Sequence, residues 1–292
     1  MSIFKRFTIL FFTVTMVSIC MLRWYAMEFL YRTPEKYWAG MPTTVGATLF
    51  VMAIVLAIVF RMTRPFNEVI KKASTGKGVS QEETRKALSI YQKINVITIG
   101  ANIVGFFIGQ IAVLIIEVSQ GVTEYHLGRI IFSIIQAILI GALSASYTVF
   151  ILNELFAPFR KMLKIHSADV FGKNQTMTLN TTLLIIAAVA LLYMCCNTLS
   201  VSFEIINRQL INPVEDALSV YIKGGLLVCF VSFLPAFGIL WFILRNLKNR
   251  IKETSNLIHE MGDNGNLTAR LDITIMDDFG ILTSSINSFM AK

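Results

Sequence analysis

Charge is scarce in this chain. Of its 292 residues only 15% are Asp, Glu, Lys or Arg, against 55% hydrophobic, and the mean hydropathy is +0.65. Such a composition excludes an ordinary soluble domain and an intrinsically disordered chain. Cysteine is sparse as well. Cys20, Cys195, Cys196 and Cys229 all fall within apolar runs, at spacings that suggest no metal site, so they read as small buried or lipid-facing residues. The three histidines, His126, His166 and His259, lie on separate segments, and no two stand at metal-ligand spacing. Phosphate-loop, nucleophile-elbow, kinase and cyclase signatures are missing. The stretch K-K-A-S-T-G-K-G at 71–78 is rich in Gly and Lys but lacks phosphate-loop spacing and follows no strand. The expectation is a protein that is not an enzyme and needs no cofactor or metal. The N-terminal run lacks an A-x-A-like cleavage site, so it reads as an uncleaved first span.

Long apolar runs are plentiful. Six of them, roughly 7–27, 43–60, 94–116, 130–152, 179–203 and 224–244, match the ~20 helical residues that cross a bilayer about 30 Å thick. Arg23 stands near the end of the first, where a long side chain can snorkel to the interface, and Trp24, Tyr25, Tyr31, Tyr37 and Trp38 follow as an aromatic belt. The basic residues are distributed unevenly. The N-terminus, the 61–93 loop, the 153–178 loop and the tail carry 20 of the 26 Lys and Arg. Arg23, Arg32, Lys36, Arg129, Arg208 and Lys223 make up the other side. The positive-inside rule then places both termini in the cytoplasm of a bacterial inner membrane. The formal net charge of +8 is therefore a topology signal, with lipid as the contact and no nucleic-acid partner expected. The external segments 28–42, 117–129 and 204–223 are too short to fold into a sensor domain of their own.

Three segments that follow the even-numbered spans are alike: P-F-N-E-V-I-K-K-A-S from Pro65, P-F-R-K-M-L-K-I-H-S from Pro158, and N-L-K-N-R-I-K-E-T-S from Asn246. Each has an apolar residue, an aliphatic residue four later, then Lys, then Ser three after that. This predicts three two-span repeats at about 1–92, 93–178 and 179–257. Pro65 and Pro158 suit the first turn of a cytoplasmic helix. After Gly76 and Gly78, Ser80 and Glu83 have capping-box spacing and open a further helix.

The tail, 245–292, holds two amphipathic stretches. Leu244, Leu247, Ile251, Thr254, Ile258 and Met261 are spaced 3, 4, 3, 4, 3, and Phe279, Leu282, Ile286 and Phe289 are spaced 3, 4, 3. Each spacing describes a narrow seam that must be buried against other helices, and neither stretch is stable alone. A homodimer is expected. The connector G-N-L-T-A-R-L at 265–271, D-D-F-G-I-L at 277–282 and I-N-S-F-M at 286–290 resemble the HAMP linker of bacterial receptors, histidine kinases and adenylyl cyclases. The Pro that usually opens the first helix of that family is replaced here by Asn246 or Leu247. The resemblance implies a signalling seam made of Leu247, Ile251, Ile258, Met261, Gly265, Leu267, Asp277, Asp278, Phe279, Gly280, Leu282, Ile286, Asn287 and Phe289.

Polar residues inside the spans are few: Asn102, Gln110, Gln136 and Asn197. They are expected to form interhelical hydrogen bonds or to line a ligand pocket. Pro235 is expected to kink the sixth span. The fold class is thus all-α and integral to the membrane: six spans over 1–244, followed by a cytoplasmic HAMP-like hairpin over 245–292. The chain as a whole resembles the membrane part of multi-span methyl-accepting chemotaxis receptors. That resemblance implies a receptor or receptor fragment that relays a stimulus to a cytoplasmic output module or kinase-coupling partner, since no output domain stands within these residues. Two other readings stay open: the regulatory membrane half of a histidine kinase or adenylyl cyclase, and a six-span transporter built on the threefold repeat. Against the transporter, the P-x-[DE]-x-x-[KR] signature of mitochondrial carriers is missing.

Overall fold

The computed structural model describes residues 3–29, 38, 40–76, 78–119, 121, 127–167, 179–211, 216–264, 270–273 and 278–290. Their secondary structure is helical: α1 Ile3–Phe29, α2 Met41–Ser74, α3 Gln81–Ser119, α4 Leu127–Lys161, α5 Leu179–Ile211, α6 Ala217–Asn264 and α7 Asp278–Met290. Helix satisfies every backbone donor and acceptor within one segment, which hydrocarbon demands. The first six helices are long and apolar enough to cross a membrane. The protein is an all-α, multi-pass membrane protein.

Helix α4 is the hub. It packs against α1, α3, α5 and α6, while α2 packs on α1 and α3, and α5 packs on α6. One core joins Ile3 and Phe7 of α1, Val59 and Phe66 of α2, Tyr91 and Ile94 of α3, and Leu152 and Phe156 of α4. A second core joins Ile140 and Leu143 of α4 to Ile186 and Tyr193 of α5 and Ile239 and Ile243 of α6. The first core puts the start of α1, the ends of α2 and α4 and the start of α3 on one side of the molecule, here called the near side.

Small residues let α3 and α4 approach closely. A Cβ on Gly141 would stand 3.0 Å from the Asn102 carbonyl oxygen and 3.1 Å from the Ile103 Cα. Local sequence signals on the near side appear as read. Gly76 has φ +71° and ends α2. The Ser80 hydroxyl accepts the Glu83 N–H at 3.1 Å and the Glu83 carboxylate accepts the Ser80 N–H at 3.0 Å, a closed capping box.

Three expectations change. Pro65 and Pro158 lie inside α2 and α4, not at the start of separate helices; neighbouring helices tolerate a proline in a membrane span. The outer loops are shorter than expected, because α3 runs on to Ser119 and α5 to Ile211, carrying Glu117 and Glu204 into the helices. And the second of the repeated segments stops being helical at Lys161.

Gly141→Val should lower the unfolding temperature of the purified protein in detergent, at a cost of about 1–3 kcal/mol for overpacking, because the atoms it meets are backbone. Gly46→Val, which has nothing within 4 Å of its Cβ position, should not. Equal behaviour of the two would contradict the α3–α4 crossing.

Candidate functional site

Polar side chains in the spans pair across helices. The Gln136 amide on α4 donates to Asn197 Oδ1 on α5 at 2.8 Å, and Asn197 Nδ2 donates to Ser232 Oγ on α6 at 2.7 Å. Tyr25 on α1 donates to the Asn197 carbonyl oxygen at 3.1 Å. Four helices thus meet on one asparagine. Asn102 forms a separate pair: it accepts from Ser144 Oγ on α4 at 2.8 Å and donates to the Thr98 carbonyl at 2.9 Å. Tyr147 on α4 donates to the Pro235 carbonyl oxygen on α6 at 2.6 Å. Gly238 makes that approach feasible, since a Cβ there would lie 2.3 Å from the tyrosine oxygen. Gln110 joins none of these contacts and lines a cavity between α1, α2 and α3.

Two ion pairs stand on the far side. Arg23 Nη1 lies 3.3 Å from Glu117 Oε1, with side chains 7% and 1% exposed. Arg23 therefore does not snorkel: Glu117 lies close enough to hold it inside. Gly40 caps the pair, since a Cβ would come within 2.7 Å of the carboxylate and 3.0 Å of the guanidinium. Arg129 grips Glu204 with two bonds, at 2.6 and 2.7 Å. Sequence reasoning missed both pairs. The one available signal was an acidic residue at the end of an apolar run opposite an arginine at the end of another. On the near side, Arg160 is buried, lies over the Tyr91 ring at 4.5 Å and donates to the Asn153 carbonyl at 2.5 Å, while Tyr91 donates to Asn153 Oδ1.

The tail docks where α4 ends. Lys164 takes a left-handed conformation, φ 48°, which turns the chain away from the helix axis and frees the backbone of Ile165 and His166. The Ile165 carbonyl accepts the Ile273 N–H at 2.7 Å. The Asn287 side chain of α7 then locks the junction: Nδ2 donates to the His166 carbonyl at 2.9 Å and the Leu271 carbonyl at 2.8 Å, and Oδ1 accepts the Leu271 N–H at 2.9 Å. Beneath it, Leu88, Ile165 and Ile273 form a small core. His166 is half-buried in this junction, its Nδ1 3.4 Å from the Leu271 carbonyl oxygen and 3.6 Å from Asp272 Oδ1.

Of the seam residues predicted from sequence, Gly280 and Asn287 are buried, Asn287 in this junction. Phe279, Ile286 and Leu247 are half-buried. Ile251, Ile258, Leu282 and Phe289 are exposed, Phe289 by 80%, as is Asp278. Within one chain the seam is therefore not closed. Gly265, Leu267 and Asp277, and the Met261 side chain, lie outside the described residues, as does His126. No group of three or more His, Cys, Asp or Glu able to hold a metal occurs among the described residues. Comparison with family models, curated proteins and solved structures gave no match to the chain.

Glu117→Gln removes the ionised partner of a buried arginine and should cost about 3–5 kcal/mol, read as a lower unfolding midpoint in detergent. The double variant Arg23→Met/Glu117→Leu should recover most of that loss; equal destabilisation of the two would count against a buried pair. Asn287→Ala should speed amide hydrogen exchange at Leu271 and Ile273 by about tenfold to a hundredfold, since each hydrogen bond contributes about 1 kcal/mol net. Asn287→Asp keeps the acceptor and should fall between. Unchanged protection would remove Asn287 from the junction.

Proposed function

We propose that this protein is a transmembrane signal transducer of the chemotaxis-receptor type, in which α6 carries a movement from the bilayer into a HAMP-like tail. The observation that carries the reading is the continuity of α6. It runs as helix from Ala217 to Asn264, with Pro235 inside its membrane part, so its apolar part and its amphipathic extension form one continuous helix. A shift or rotation of the span displaces the first seam directly.

Several features support the reading. Six crossings would return both termini to one side together with the basic segments counted from the sequence, which supports a tail in the cytoplasm of a bacterial inner membrane. Helices α2 and α6 run through their related segments, and α4 enters its own as far as Lys161, which is consistent with a threefold repeat of two spans. Ile251, Ile258, Leu282 and Phe289 stand exposed on the two tail helices, which is the state of a seam that a second copy of the chain covers in a parallel four-helix bundle. The bundle is then read by a cytoplasmic output module or a kinase-coupling partner.

Disulfide crosslinking in membranes tests this. In a background without the four native cysteines, Cys at Ile258, Leu282 or Phe289 should crosslink between chains several-fold faster than Cys at Ser255, Ser285 or Ser288. Inserting three residues after Leu244 should move the maximum away from Ile258, and inserting seven should restore it, because seven residues preserve the heptad phase. A flat profile would overturn the bundle, and a profile indifferent to insertion length would overturn the continuous helix.

A further inference from the structure

Between α1, α2 and α3, in the half of the molecule away from Ile3, lies a cavity of about 80 Å³; roughly 10–15 Å³ on that scale holds one water. Its wall is mostly apolar, with residues such as Phe11, Val51 and Phe106, and small residues on α3 leave the room. Two polar side chains in the wall lack a partner among the described residues. Thr15 is 93% buried by its 7% exposure, and its hydroxyl oxygen makes no hydrogen bond. Thr48, Thr98, Thr148 and Thr198 show the usual solution for a membrane threonine, each donating to the carbonyl four residues earlier at 2.7–2.9 Å. Thr15 does not use it. The Gln110 carboxamide likewise finds no partner among the described residues. Asn102, in the same wall, is already committed to Ser144 and Thr98.

A polar group left bare in hydrocarbon is costly, and among the described residues nothing meets Thr15 or Gln110. Water fits poorly. The space takes several molecules, each needs two to four polar partners, and this wall has few to give. A mostly apolar wall with a small number of unspent polar groups is the character of a small-molecule site. Charge narrows the class. Arg23 closes one end of the cavity, but Glu117 at 3.3 Å neutralises it, so no net charge invites an anion.

We propose that this cavity binds a neutral amphiphile, with an apolar body and one hydroxyl, carbonyl or carboxamide group that Thr15 and Gln110 hydrogen-bond. The site does not depend on the signalling reading and is tested by binding alone.

The test uses the whole chain purified into phosphatidylcholine nanodiscs, photolabelled with 3-azi-1-octanol and mapped by mass spectrometry. Saturable adducts should appear on cavity residues of α1, α2 and α3. Excess 1-octanol should compete, and n-octane at the same membrane concentration should not. Gly109→Leu adds its side chain where a Cβ meets nothing within 4 Å; by filling the cavity it should cut saturable labelling by about tenfold. Gly46→Leu, on an exposed part of α2, should leave it unchanged. Thr15→Val/Gln110→Leu, which adds no volume, should erase the preference for alcohol over alkane, and it carries the test if Gly109→Leu does not fold. Competition by dioctanoylglycerol would make a membrane lipid the source of the headgroup; its failure would make the source a free amphiphile, and both results keep the proposed class. Non-saturable labelling spread over outward-facing residues such as Val104, Ile108 and Ile115 would overturn the site, as would competition by octane equal to that by octanol.

Discussion

A hydroxyl or carboxamide placed in hydrocarbon must find its partner inside the protein, and many of those partners converge on α4. Gln136, Ser144 and Tyr147 lie along this one helix and reach Asn197 on α5, Asn102 on α3 and the Pro235 carbonyl on α6. Apolar packing alone discriminates weakly between helices in a membrane, because lipid tails are as apolar as leucine. The hydrogen bonds supply the discrimination, at about 0.6 kcal/mol each on average, and the glycine at 141 permits the short distances. The central position of α4 is therefore a consequence of where its few polar and small residues fall.

The two sides of the molecule handle charge differently. On the near side Lys and Arg are abundant, and exposed pairs such as Lys72 with Glu83 at 2.5 Å contribute little by themselves. On the far side basic residues are few, and Arg23 and Arg129 are each held by a carboxylate that is almost fully buried. A lone arginine there would weaken the topology signal and carry an unpaired charge into a low-dielectric layer. Pairing removes the second penalty. It also ties α1 to α3 and α4 to α5 at the end of the bundle where the loops between helices are short.

The spans were legible because hydropathy is a local property of twenty residues. So was the capping box of Ser80 and Glu83, whose whole signal fits in four positions. The outer ends of α3 and α5 were not. A carboxylate after an apolar run reads as the start of a loop, and only a partner 94 or 75 residues away keeps Glu117 and Glu204 inside. Asn287 shows the same limit from another direction. Its motif marked it as a residue of the seam, yet its hydrogen bonds go to His166, 121 residues earlier, and to Leu271. Lys164, whose positive φ creates the docking edge, has no sequence signature: lysine is not a residue that favours that conformation.

The contrast between the membrane contacts and the tail junction bears on which of them can open. Asn197 is 2% exposed, and breaking its bonds in hydrocarbon leaves bare polar groups with no water to receive them. Asn287 is also buried, but its neighbours His166 and Asp272 are partly exposed, with side chains 40% and 32% accessible, so water stands ready to replace its bonds as they break. The net cost of opening is then about 1 kcal/mol per bond, against several for each orphaned group in the membrane. The core beneath the junction is small, with Leu88, Ile165 and Ile273 as its buried members. Low-stability units of this kind are where proteins place the elements that move. If the tail exchanges partners as proposed above, it would release at this junction while the six-helix bundle stayed intact.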